Sequence, residues 1–78
     1  MLMKTIKTPS NDEILLLKKI FESDSRKKIR KRAEIILNAL NGFDFFKIAQ
    51  IVKSSLKNVY LWIKKWNKLG IGAIITWR

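Results

Sequence analysis

The sequence predicts an all-helical fold: one compact four-helix domain over residues 10–70, with a short N-terminal arm at 1–9 and an apolar C-terminal tail at 71–78. Two observations predict it. Apolar residues recur at i, i+3, i+4 and i+7 in successive stretches, the period of a helix with one buried face. Ser and Asp residues that suit helix caps precede these stretches, and Asn-Gly or Gly follows two of them. The 78 residues contain no cysteine and no histidine, which excludes disulfide staples, the usual zinc sites and any Cys/His nucleophile pair. Apolar packing must therefore hold the domain together, in a chain small enough to bury only somewhat more than about 60% of its unfolded surface.

Taken in order, the arm shows no sustained period and ends in Pro9. Ser10 and Glu13 have the spacing of a capping box, each side chain accepting from the other residue's backbone N–H. A first helix is expected over 11–22, with Ile14, Leu17, Ile20 and Phe21 inward and Lys18 and Lys19 outward. Ser23-Asp24-Ser25 breaks the chain and is expected to supply the next cap. A second helix over 26–41 places Ile29, Ala33, Ile36, Leu37 and Leu40 on one face and stops at Asn41-Gly42. Asp44 caps a short third helix over 45–52, with Phe45, Ile48, Ala49 and Val52 inward. Lys53-Ser54-Ser55 makes a tight turn, and Ser55 caps a fourth helix over 56–69 whose inward stripe is Val59, Trp62, Ile63 and Trp66. Gly70 ends it, and the β-branched tail that follows is too short to be a domain.

Charge narrows the function. Lys and Arg total 17 against 6 acidic residues, a net charge of +11, so the domain concentrates polyanions around itself. Nucleic acid and an anionic membrane surface are the candidate partners. No apolar run is long enough to span a bilayer, and the N-terminus lacks the apolar core of a signal peptide. The expected setting is the cytoplasm, on the nucleoid if the cell is prokaryotic, with double-stranded DNA as partner and no membrane.

Two helices joined by a three-residue turn have the proportions of a helix-turn-helix. Ala49 is the small residue needed where the second helix crosses the first, and Ser55 sits where a cap exposes backbone N–H groups to a phosphate. Opposite the inward stripe of the fourth helix lie Lys57, Leu61, Lys64 and Lys68, a face that suits a major groove. Lysines there reach guanine edges or phosphates, and a leucine meets a thymine methyl. Lys57, Leu61 and Lys64 are the expected base contacts; Ser55, Asn58, Lys65 and Lys68 are assigned to the DNA backbone. A lysine stripe on an outward face is by itself an ordinary solvated surface, and only the turn and the net charge favour the sharper reading.

The second basic feature is Arg26-Lys27-Lys28-Ile29-Arg30-Lys31-Arg32, with six cations in seven residues. At helical spacing it makes the start of the second helix positive nearly all round, against the helix dipole. Arg26, Lys27, Lys28, Arg30 and Lys31 are expected on DNA phosphates, adding affinity without sequence information; a solubilising surface is the plain alternative. Trp62 and Trp66 share the phase of the core stripe, which argues against a stacking platform for single strands. Phe46, Tyr60 and the 71–78 tail, including Trp77, are candidate homodimer contacts, with packing inside the monomer as the equal competitor. No catalytic residue, metal ligand or cofactor motif emerges. Asp12, Glu13, Asp24 and Asp44 stand at helix starts, and Gly42, Gly70 and Gly72 match no phosphate loop. No enzymatic activity is expected.

Residues Arg32-Ala33-Glu34-Ile35-Ile36-Leu37, Asn41-Gly42-Phe43, Lys47-Ile48-Ala49, Ser55, Asn58-Val59-Tyr60-Leu61-Trp62, Lys65-Trp66 and Gly70-Ile71 carry a family likeness. In this order they resemble the N-terminal helix-turn-helix of transposases of the insertion-sequence and mariner-like group, and related homeodomain-like modules. The chain departs at Lys53, where that group usually has glycine, at Ser54, usually apolar, and at Leu56 and Leu61, where basic residues are common. The resemblance covers only the DNA-reading module, and no counterpart of the group's acidic catalytic domain is expected within these residues. The resemblance thus implies the DNA-reading module alone, as a small transcriptional regulator or a transposase-derived element. A protein-interaction module on the same fold and a nonspecific nucleic-acid binder are the alternatives.

Overall fold

The computed structural model describes residues 9–75, with the backbone alone at Ile75. Among these residues the chain is all-helical, with no strand: α1 (Asn11–Ser23), α2 (Lys27–Leu40), α3 (Phe45–Val52), α4 (Leu56–Leu69) and α5 (Gly72–Ile75). Most of the N-terminal arm and Trp77 lie outside the described residues.

The capping box forms as its spacing requires. The Ser10 hydroxyl accepts from the Glu13 N–H at 3.3 Å, and the Glu13 carboxylate accepts from the Ser10 N–H at 3.1 Å. Leu17 and Ile20 are buried, Ile14 is half-buried, and Phe21, expected inward, is 40% exposed. The reason is position: among the described helices α1 packs on α2 alone. A helix with one neighbour buries a narrow stripe and leaves the stripe's margin in water.

α2 is the opposite case. It contacts α1, α3, α4 and α5, so its buried arc is wider than a single stripe. Ile29, Ala33 and Ile36 are buried as expected and Leu37 and Leu40 are half-buried, but Ile35 and Arg32 are buried too. The cap expected from residues 23–25 does not form. The N-cap is Arg26, with no side-chain hydrogen bond to the helix. Asp24 instead accepts from the Arg26 backbone N–H at 2.8 Å and closes the turn ahead of the helix.

Two helix ends close alike with different residues. After α2, Gly42 takes φ 92° while the Phe43 N–H reaches back to the Asn38 carbonyl at 3.3 Å. After α3, the Ser54 N–H reaches the Ala49 carbonyl at 3.0 Å, but the left-handed position is Lys53, at φ 55° and ψ 52°. A side chain there costs about 1–2 kcal/mol relative to ordinary helical backbone. α3 and α4 otherwise match expectation. Asp44 accepts from the Lys47 N–H at 2.8 Å and Ser55 from the Asn58 N–H at 3.1 Å. Ile48 and Val52 of α3 and Val59, Trp62, Ile63 and Trp66 of α4 are buried, with Phe45 and Ala49 packed at the edge.

The chain has one helix more than expected. Past Gly70 it turns back, with the Ala73 N–H donating to Gly70 and the Ile74 N–H to Ile71, both at 3.0 Å. α5 then packs on α4 and α2 and buries Ala73 and Ile74 in the same core. No helix among the described residues is long and apolar enough to cross a membrane.

Candidate nucleic-acid interface

Seating Val59, Trp62, Ile63 and Trp66 in the core fixes where the rest of α4 points. Lys57, Leu61, Lys64 and Lys68 come to the opposite side, all exposed, with Leu61 at 44%. The helix has 14 residues, about 21 Å of length at 1.5 Å per residue. Among the described residues no carboxylate lies within ion-pair distance of these lysines. The other expected residues of this region are engaged by their neighbours. The Ser55 hydroxyl caps α4, the half-buried Asn58 amide donates to the Ser54 hydroxyl at 2.8 Å, and the Lys65 ammonium stands 5.9 Å from the Trp62 ring centroid.

The basic start of α2 is not positive all round, because Arg32 is buried and Asp24 engages Arg26 and Arg30. Arg26 makes a forked contact with Asp24, Nε to Oδ1 at 3.1 Å and Nη2 to Oδ2 at 3.0 Å. The hydrogen bonds from Arg26 hold the Asp24 carboxyl below the usual carboxylate range, and the Arg26 guanidinium is raised in return. Arg30 donates from Nη1 to the Asp24 carbonyl at 2.7 Å. Arg32 is buried, with its guanidinium carbon 4.3 Å from the Trp62 ring centroid. Burial lowers its pKa, yet a guanidinium starts high enough to remain charged at neutral pH. Lys27 and Lys28 stay exposed and Lys31 is half-buried.

These positions create a groove of about 400 Å³ between α2 and α4. Lys28 and Lys31 line it from α2 and Lys65 from α4, with Ile35, Leu61 and Trp62 as its apolar part. Arg32 and Asn58 complete the lining, which includes no acidic residue. Neither the burial of Arg32 nor this groove was read from the sequence. The signal was present in the phase: Arg32 lies three residues after Ile29 and four before Ile36, inside the apolar arc.

The other flank of α4 is aromatic. Tyr60 meets Phe45 edge to face, with ring centroids 4.8 Å apart and planes at 88°. Phe46 beside it is 70% exposed and Tyr60 is 43% exposed, so both reach solvent. Of the tail, Ala73 and Ile74 are already buried within the monomer. Compared with known proteins, the chain matches no family profile, no curated protein and no solved structure.

Proposed function

We propose that this chain is a sequence-reading, double-stranded DNA-binding domain of the homeodomain-like helix-turn-helix kind, with α3 and α4 as the motif and α4 as the recognition helix. The observation that carries the reading is the outer face of α4, where Lys57, Lys64 and Lys68 surround the exposed Leu61 free of acidic partners while the opposite face is anchored in the core. An α-helix about 10–12 Å across fits a major groove about 12 Å wide, and a rigid helix carries its side chains to the base edges in register. Lys57, Leu61 and Lys64 are the base-reading positions; Lys68 and the exposed cations of α2 serve the phosphates. The net charge of +11 supports the same partner. The biological role that fits is a small transcriptional regulator or a recognition module derived from a transposase, acting where DNA is accessible in the cytoplasm.

The test is fluorescence anisotropy against a random pool of labelled duplexes over a range of salt, followed by sequencing of the bound fraction. Steep salt dependence with an enriched motif supports the reading, and a palindromic motif adds a dimer, for which Phe46 and Tyr60 are the available contacts. Binding that ignores sequence and duplex form replaces it with a nonspecific nucleic-acid binder. A second reading, a protein-interaction module, draws on the exposure of Leu61 and Phe46. Loss of a protein partner on Leu61→Asp in a chain that binds no DNA selects that reading.

A further inference from the structure

The two flanks of α4 differ in kind. One carries Tyr60 packed edge to face on Phe45. The other opens into the α2–α4 groove, lined by Lys28, Lys31 and Lys65 and by no carboxylate. A helix in a major groove has one sugar-phosphate strand along each flank, and these two flanks cannot treat their strands alike. Leu61 belongs both to the outer face of α4 and to the groove lining, so the two surfaces are continuous.

We infer that the α2–α4 groove seats the sugar-phosphate backbone of one DNA strand, so that the domain holds its duplex by one strand on the α2 side of the recognition helix. This rests on the DNA-binding reading above and adds a site to it. The chemistry of the lining fits such a strand. Deoxyribose rings lie against Leu61 and the lysine stems, while phosphates take the three ammonium groups. Lys28 and Lys31 are three residues apart, about 4.5 Å along the helix axis. Phosphates of one strand recur about every 3.4 Å of duplex axis, so both lysines reach the same short stretch. Trp62, with the guanidinium of Arg32 against its ring and the Lys65 ammonium nearby, joins α2 to α4 beneath the groove and holds the cationic side chains of both helices in one place. An acidic peptide is disfavoured by the continuity with the lysines of the outer face, which a peptide lying in the groove would leave unused.

The experiment compares the salt dependence of duplex binding for the wild type, for Lys28→Gln/Lys31→Gln/Lys65→Gln, and for the control Lys18→Gln/Lys19→Gln on exposed α1, each checked for an unchanged helical melt. The groove variant should lower the slope of log affinity against log salt by about 2–3, at about 0.9 per phosphate lost, with the enriched motif unchanged. The control should move the slope by less than about 0.5. A wild type that binds DNA while the groove variant keeps the slope of the control overturns the groove and leaves the DNA reading standing. A wild type that binds no duplex at any salt overturns both. A glutamate-rich amphipathic peptide that binds the wild type but not the groove variant, without displacing DNA, reassigns the groove to protein.

Discussion

Two stretches of this chain are basic, one densely and one sparsely, and they behave differently. The start of α2 has six cations in seven residues, and α4 has four lysines in fourteen. At the start of α2 the three arginines are spent locally: Asp24 grips Arg26, its carbonyl takes Arg30, and Arg32 lies against the indole of Trp62. In α4 three of the four lysines share one exposed face with no acid near them. Spacing, not density, makes a cationic surface. The acid just ahead of α2 also relieves the dipole conflict that a run of positive charge at a helix start creates.

The two stretches meet at Trp62, and removing it should produce the largest effect. Trp62→Ala deletes the ring that Arg32 covers and leaves a buried cation beside a cavity. The expected loss is about 3–5 kcal/mol. Against the roughly 5–15 kcal/mol that holds a domain together, this approaches unfolding. Urea melts followed by circular dichroism measure it, and Trp62→Phe, which keeps an aromatic face, should lose clearly less. A melt unchanged by Trp62→Ala would mean that the core does not depend on this junction.

The next effect tests whether the α4 stripe binds as its exposure suggests. Lys64→Ala should leave stability within about 0.5 kcal/mol, as an exposed surface change does. It should also weaken DNA binding in one of two ways. If Lys64 reads a base edge, discrimination at one position falls by about 1–3 kcal/mol; if it meets phosphate, the salt slope falls by about 1. Equal binding by variant and wild type at low salt would remove Lys64 from the interface.

Lys53 is a cation outside both stretches, kept at a left-handed position that the end of α2 gives to Gly42. Lys53→Gly should therefore raise stability by about 0.5–1 kcal/mol, less than the full conformational strain because glycine also frees the unfolded chain. In a domain of this size that is several degrees of melting temperature. A gain in stability with weaker DNA binding would show that the lysine is kept for its charge. A drop in melting temperature would contradict the strain argument.

The α3–turn–α4 unit was legible in the sequence because each signal in it is local: Asp44 and Ser55 cap, the stripe has one phase, and the turn is short. The first two helices were read less well where the neighbours decide. Phe21 stays out because α1 has one partner, and Arg32 goes in because α2 has four. The α2–α4 groove was not legible at all, since it depends on how far apart two helices sit and only packing sets that. α5 was hidden by its length, since four residues carry no period to read.

The smallest effect concerns Asp24, the acid that separates the behaviour of α2 from that of α4. Its carboxyl is held below the ordinary range, about 3.9 for a free aspartate, chiefly by the hydrogen bond from Arg26. A carboxyl whose folded pKa is depressed contributes stability above the unfolded value and loses it as the pH falls through the folded one. Asp24→Asn keeps an oxygen for the Arg26 backbone N–H but removes the charge. The variant should therefore melt slightly below the wild type at neutral pH, and by the same margin at pH 5. As the pH falls from about 4 through the lowered folded value the two melts should converge, because the unfolded and then the folded carboxyl are protonated. The Arg26 side of the pair is exposed to solvent, so half-molar salt should narrow the difference at neutral pH as well. A gap that persists unchanged at pH 2 would mean that Asp24 acts only through the shape of the turn. The arginines at the start of α2 would then owe nothing to its charge, and the contrast with the acid-free lysines of α4 would rest on burial alone.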